Sequence, residues 1–589
     1  PPTRHGVRRQ RQMCIRDRSH TWRALSRSER ARKGGKTMKK TRLVSFLASV
    51  LLGLAGCGGG SSTEPPVVPP PPPPPPPPIT KAEAFQFLNQ STFGATEAAA
   101  NEVIRERFQT WIDDQIREPM SFQLPHIQAQ PDPPFMGFLH NARVDIWFRN
   151  SLNGDDQLRQ RVAFALSEIF VVSQLGALQA RPFAVADFYD LLTRSAFGNY
   201  RDLIEEVTLH PAMGVYLSML GNEKPNPALN IRPDENYARE LMQLFSIGLV
   251  ELNQDGTVRL DGNNQPIPTY DQAIIEGFAH VFTGWHYAGA AAFELAFRND
   301  NNQTVPMQLY PEFHDTGAKT LLGGFTIPAG QTGDEDLQMA LDNIFNHANV
   351  GPFLATRLIH RLVTSNPSPG YVSRVADVFN DNGFGVRGDL EAVVRAILLD
   401  PEARPAMHME IDGKIKEPLL RLTQLWRAYD AASQSGAFPL APAYIIFGQG
   451  PLQSPSVFNF FSPFYAPAGE IRNSGLVAPE LQIATEYQNT FITNDLFLLT
   501  FDWNSEKEDP EPDDVLIDIS AELDVADDTD ALVDLVVSKL LAGEISDALR
   551  AEIVNMIDQI RTTIPGNDVA LVAEAIYFVV TSPEFAYQR

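Results

Sequence analysis

The chain has 589 residues, 43% of them hydrophobic and 20% charged, a globular composition that can bury a large core and, on length alone, suggests about three or four domains. Its net charge is −24, but beyond Cys57 only 33 of the 48 basic side chains remain against 70 of the 72 acidic ones. So acidic a body, with no basic stripe, argues against nucleic acid as a partner. It leaves divalent cations or cationic ligands open, beside the simpler reading of a solvated acidic surface that keeps the protein soluble.

Residues 1–37 are basic and irregular, and Arg11 to Arg18 looks like translated adapter or upstream DNA. We set this segment apart from the fold, a nucleic-acid-binding arm being the other reading. Residues 38–57 read as a signal peptide. Met38-Lys39-Lys40-Thr41-Arg42 is a basic start, and Leu43 to Leu54 is an apolar run too short to span a bilayer. Leu54-Ala55-Gly56-Cys57 then closes it with small residues before a cysteine. The segment resembles a bacterial lipoprotein signal, in which the Cys57 thiol takes the lipid. A plain secretory signal with an incidental cysteine is the competing reading.

Gly58 rather than an aspartate follows the cysteine, which in organisms with two membranes resembles the pattern sent to the outer membrane, so that location is expected, with attachment through the lipid. Cys14 lies upstream of the signal and Cys57 would be acylated, so the mature body has no disulfide to form. Residues 58–80 form a tether. Gly58 to Thr63 is flexible in composition, and Pro65 to Pro78 is nearly all proline, which favours an extended polyproline spacer of roughly 43 Å. A ligand for an aromatic groove is the alternative for this segment.

Residues 81–500 read as a main helical body and 501–589 as an acidic segment followed by a C-terminal helical subregion. Apolar residues recur at helical spacing over Asp155–Ser173, Asp187–Ala196, Asp234–Ile247, Asp271–Phe282, Asp334–Phe345 and Val350–Val363. The same holds for Tyr371–Asn380, Asp389–Leu399, Asp530–Leu541, Ser546–Ile560 and Val569–Val580, and several of these segments open on an aspartate suited to capping. Strand signals are few. Leu249 to Leu252 and Val258 to Leu260 flank the turn Asn253-Gln254-Asp255-Gly256, and Phe293–Phe297 and Lys319–Ile327 suggest further short strands. Phe447–Pro467 reads as a buried irregular loop, and Asp502–Asp530 as a surface excursion. The expected fold is mainly α, a large multi-helix globular body with a few short β-hairpins.

Asp234-Glu235-Asn236-Tyr237-Ala238-Arg239-Glu240-Leu241 resembles the bacterial family named domain of unknown function 1800. Further stretches fit it in order: Leu158 to Leu166, Phe282 to Trp285, His314 to Thr320, Gly385 to Leu390, Pro455 to Pro463, and Ser582 to Phe585. The resemblance runs from about Lys81 to the end. It implies an exported or envelope-associated protein, and so a location more than a chemistry.

Within that frame a few polar residues are candidates for chemistry. Glu235 and Arg239 are four apart on one helix, as are Asn236 and Glu240, a spacing that suits an ion pair and a hydrogen-bonded pair in a capped buried network or a ligand site. Glu276 and His280 share a second helical face, which suits a structural carboxylate–histidine bond, an oriented base or, with Glu240, a divalent metal site; His286 follows shortly, and His314-Asp315 lies in a loop. His314 and Lys319 flank Gly317 in a loop that matches no nucleotide-binding fingerprint. It reads as a substrate contact or a turn entering a strand. Asp389 of Arg387-Gly388-Asp389 is a helix cap, the phenylalanines at 458, 460 and 461 are core or a ligand wall, and no Gly-x-Ser-x-Gly elbow supports a serine hydrolase.

The candidates for catalysis are therefore Glu235, Arg239, Glu240, His314 and Lys319, and those for metal Glu240, Glu276 and His280. Two functions follow. One is an accessory or binding protein of the cell surface or periplasm that works with an envelope partner. The other is a metal-assisted hydrolase acting on an envelope or extracellular polymer, in which the ion would activate water and a carboxylate would serve as base.

Overall fold

The structure, a computed structural model, describes residues 77–131, 136–299, 301–404, 413–440 and 442–588; Cys57, the signal and nearly all of the tether lie outside them. Among the described residues, helices of ten residues or more run as α1 (Lys81–Ser91), α2 (Glu97–Glu106), α3 (Phe108–Arg117), α4 (Met136–Asn153), α5 (Gln157–Ser167) and α6 (Pro182–Ser195). Next come α7 (Tyr200–Leu209), α8 (Gln272–Val281), α9 (Gly333–Phe345), α10 (Val350–Leu362), α11 (Pro369–Asn380) and α12 (Leu390–Leu399). The series ends with α13 (Pro418–Ala428), α14 (Glu486–Phe501), α15 (Thr529–Leu541), α16 (Asp547–Thr563) and α17 (Asp568–Thr581). The fold is mainly α.

Short polar side chains start many of these helices by accepting otherwise unsatisfied N–H groups. Asp271, Asp389 and Asp528 cap α8, α12 and α15 in this way. Thr80 with Glu83 and Thr332 with Glu335 form reciprocal capping boxes at α1 and α9. Three two-residue antiparallel pairs complete the regular structure: β1 (Trp285–His286) with β2 (Gln308–Leu309), β3 (Lys319–Thr320) with β4 (Thr326–Ile327), and β5 (Lys414–Ile415) with β6 (Tyr587–Gln588). The last pair ties the C-terminal segment to the entrance of α13.

Pro78–Arg589 forms one compact unit. Helix α10 packs against α5 and α11, and α11 against α12, while α14 lies on α17 beside α15 and α16. Trp147 sits at the aromatic centre of the N-terminal half, edge-on to Phe93 and Phe148, and its indole N–H donates to the Tyr189 hydroxyl at 2.9 Å. That bond removes the cost of burying the polar end of an otherwise apolar ring.

Four segments depart from the sequence expectations. The helix expected over Asp234–Ile247 is α-helical only from Asn236 to Glu240 and continues as a π-helical turn, Leu241–Ser246. There the Ser246 hydroxyl donates to the Leu241 carbonyl and the Tyr200 hydroxyl to the Phe245 carbonyl, both at 2.6 Å, drawing those oxygens off the α ladder. Phe293–Ala296 is a helical turn, not a strand, because Phe293 folds inward and stacks on Phe313 with ring centroids 4.1 Å apart.

The turn at Asn253 is present, with Gly256 at φ 75° and the Asn253 N–H donating to Thr257. Its flanks meet in one isolated bridge, Leu252 with Val258, and each bridges a third segment, Leu260 with Pro266 and Val250 with Pro268, where the prolines have no N–H to extend a ladder. Finally, 502–530 is not simply a surface excursion. Val515, Ile517 and Ile519 are buried, and Leu516 bridges Ala432; the alternation turns the acidic residues outward while every second side chain enters the core.

Candidate functional site

Two polar centres emerge, and the first contains most of the residues singled out from sequence. Helix α8 ends at Val281, and the chain turns through Gly284 at φ 86°, where a Cβ would meet the His314 backbone nitrogen at 2.9 Å. This close approach brings the His314 loop beneath α8 and against the start of α9. Asp336, on the first turn of α9 and fully buried, receives His314 Nε2 at 3.0 Å and Lys319 Nζ at 2.5 Å. His314 Nδ1 faces the Thr283 carbonyl at 3.0 Å. The Lys319 ammonium also donates to the carbonyls of Asp315 and Gly317. Its three hydrogens therefore have three acceptors within the chain, which leaves none for a substrate.

Beside this triad His280 Nδ1 bonds the Asp315 carboxylate. Burial alone would raise the Asp315 carboxyl, but His280, the Gly317 N–H and Lys319 together hold it below its ordinary value. Glu235 pairs with Arg239 at 2.8 Å, and the Gln272 amide links Glu235 to Glu276 on the exposed side of α8. Glu240 is buried in the core.

Among the described residues no group of three His, Cys, Asp or Glu side chains is placed to hold a metal ion. The expected set of Glu240, Glu276 and His280 is not assembled. One member faces inward, one faces solvent, and the third is held by Asp315. His286 stands edge-on to Phe293 and accepts the Tyr287 N–H.

The second centre went unread in the sequence. Helix α5 is buried along its whole length, Arg161 included, and delivers Glu168 just past its end. Helix α10 brings Arg361, β5 brings Lys414, Glu417 precedes α13, and Glu480 enters from a short helical turn. All five side chains are buried. Arg361 lies 3.3 Å from Glu168 and 4.0 Å from Glu417, and Lys414 lies 3.2 Å from Glu417 and 3.1 Å from Glu480.

The irregular loop expected over Phe447–Pro467 closes this centre. Gln449 donates to Glu417 at 2.5 Å and to Glu168 at 3.3 Å, Asn459 donates to Glu168 at 3.2 Å, and Phe461 covers the Arg361 guanidinium at 4.5 Å. Glu168 and Glu417 lie close enough that each perturbs the other's ionisation. Burial, and then the neighbouring Glu417, push Glu168 up to about 8 despite Arg361. Burial would raise Glu417 as well, but Lys414, Arg361 and Arg161 hold it at about 2. The two acids are thus pushed in opposite directions, Glu168 towards its neutral form and Glu417 towards its charged one.

The family model described as a protein of unknown function (DUF1800) matches residues 86–587. The chain belongs to this family. No curated protein and no solved structure matches it. The DUF1800 match spans both centres, and two stretches that carry the family resemblance, Leu158 to Leu166 and Pro455 to Pro463, meet at the Glu168 centre. What could have revealed that centre is the presence of Arg159, Gln160 and Arg161 in a helix whose apolar residues already mark it as core, together with three charges in Lys414-Ile415-Lys416-Glu417 next to a proline-started helix.

Proposed function

We propose that this DUF1800 protein is an exported, lipid-anchored component of the cell envelope, held at the outer membrane through Cys57, whose helical body acts by binding a partner protein rather than by catalysis. The observation that carries the location is the order of features in the sequence: a basic start, a short apolar run, Leu54-Ala55-Gly56-Cys57, Gly58, and then a proline-rich spacer before the body begins.

Support for binding comes from how the body uses its reactive groups. The triad of His314, Lys319 and Asp336 and the cluster around Glu168 are enclosed, and their charges are answered from within the chain. Glu235 with Arg239, and His280 with Asp315, are likewise paired. The hydrolytic alternative lacks the donor set on which it was built.

The test is metabolic labelling with a clickable fatty acid in the producing bacterium. The wild-type chain should take up label and fractionate with the outer membrane. Cys57→Ser should lose the label and leave the outer-membrane fraction. An unlabelled wild-type chain, or equal labelling of the variant, rejects the anchor.

A further inference from the structure

Helix α14 is apolar on both sides. Ile492, Leu496 and Leu499 enter the core, yet Tyr487, Phe491 and Leu498 stand on the opposite face with 58%, 39% and 39% of their surface exposed. Phe497 flanks them against Tyr577, and Ile445 extends the patch from the short helix Ala443–Ile446, whose Ile445 carbonyl accepts the Gln488 amide at 3.3 Å. A surface helix ordinarily turns polar residues outward. A contiguous apolar ridge with aromatic anchors is what a binding face presents.

Charge selects the occupant. Asp495 lies on the flank of the ridge, largely buried, with no hydrogen bond or ion pair among the described residues, and burial raises its carboxyl to about 6. Residues 473–538 contain 17 Asp or Glu, of which Glu480 and Glu522 are buried against Lys414 and Lys539, and a single base, Lys507, which is spent on Asp514 at 2.6 Å. Such a field repels an anionic bilayer surface and a second copy of the same face, and attracts a cation.

We propose that the outward face of α14, with Ile445, docks an amphipathic protein segment that sets apolar side chains on Tyr487, Phe491 and Leu498 and a lysine or arginine against Asp495. This rests on the reading of the body as a binding protein and names the chemistry of its partner.

The test uses the full chain in detergent and an 18-residue amphipathic helix of leucine and lysine, with fluorescence anisotropy as readout. The lysine peptide should bind. Replacing both aromatic anchors (Tyr487→Ser with Phe491→Ser) should weaken it by about tenfold or more, and Asp495→Asn by several-fold. The same helix with glutamate for lysine should not bind. The replaced anchors point outward, so an unchanged melting midpoint certifies the variants.

No binding by the wild-type chain, or equal binding by the double variant, overturns the ridge. So does ridge-dependent flotation with phosphatidylcholine–phosphatidylglycerol vesicles, or a ridge-dependent dimer in sedimentation. Peptide binding that survives the double variant keeps the binding reading and moves the partner elsewhere on the body, whereas lipid labelling tests the anchor on its own.

Discussion

Glu168 and Glu417 differ by one proton, and substituting each by glutamine should expose that asymmetry. Burial with Glu417 beside it raises Glu168, while Lys414, Arg361 and Arg161 lower Glu417, which favours the proton on Glu168 and the charge on Glu417. Glu168→Gln replaces a neutral donor by a neutral donor. The new amide N–H₂ can donate to Glu417, and its carbonyl oxygen can accept from Gln449 and Asn459 as the carboxyl does now. The cost is that of a rearranged hydrogen bond, about 0.5–1.5 kcal/mol. Glu417→Gln instead removes a charge facing buried Arg361 at 4.0 Å and one of the two carboxylates on buried Lys414, leaving it Glu480 alone at 3.1 Å. Breaking a buried ion pair from one side costs about 3–5 kcal/mol. With an unfolding entropy of about 2.1 cal/mol/K per residue over the compact unit Pro78–Arg589, the melting midpoint should fall by roughly 3–5 °C for Glu417→Gln and by roughly 1 °C for Glu168→Gln. Differential scanning calorimetry at pH 7 reads both. Equal losses, or a larger loss for Glu168→Gln, would refute the assignment of the proton.

Three further outcomes follow. In the folded chain Glu168 holds its proton up to about 8, well above its ordinary 4.5. Its contribution to stability is therefore intact below about pH 4.5 and is lost as pH rises towards 8; Glu168→Gln should flatten the fall in melting midpoint between pH 5 and 8, and parallel profiles would count against a proton held there. Asp336→Asn leaves Lys319 and His314 without their carboxylate in a sealed site. It should cost about 3–5 kcal/mol in urea unfolding, whereas an unshifted midpoint would mean that the triad contributes nothing. Gly284→Ala forces a side chain into the left-handed region at φ 86° and against the His314 backbone, and should destabilise by about 1–3 kcal/mol in the same assay; a neutral result would show that the His314 loop can move away from α8.

The helical architecture was legible because the periodic apolar stripes and their caps are local signals. Asp271 and Asp389 cap the helices they were expected to open. Where tertiary contacts decided the outcome, local pattern misled. The π turn after Glu240 is held partly by the Tyr200 hydroxyl, 45 residues away from the Phe245 carbonyl it bonds. Phe293 scored as strand material but found a stacking partner in Phe313. The site was harder still. Spacing brought out Glu235 with Arg239 correctly as an ion pair, and placed Glu276 and His280 on one helix face, but spacing cannot say which neighbour takes each group. Asp315, from a loop 35 residues on, bonds His280.

The Glu168 centre shows why a family motif can point to architecture as readily as to chemistry. Its acids and bases arrive from four separate stretches, and each stretch read alone is an ordinary helix, strand or loop. Only their convergence makes the irregular loop through Gln449, Asn459 and Phe461 necessary, since those side chains supply the amide donors and the ring that make a buried carboxyl pair tolerable. An apolar replacement of the whole cluster could be as stable, because buried ion pairs gain little over well-packed hydrocarbon. What the charged version adds is directionality: the amides of the loop fit the two carboxyl groups in one arrangement, so the cluster selects one position for the Phe447–Pro467 segment against α5 and α13. On that argument, the buried charges of this cluster act to position the loop.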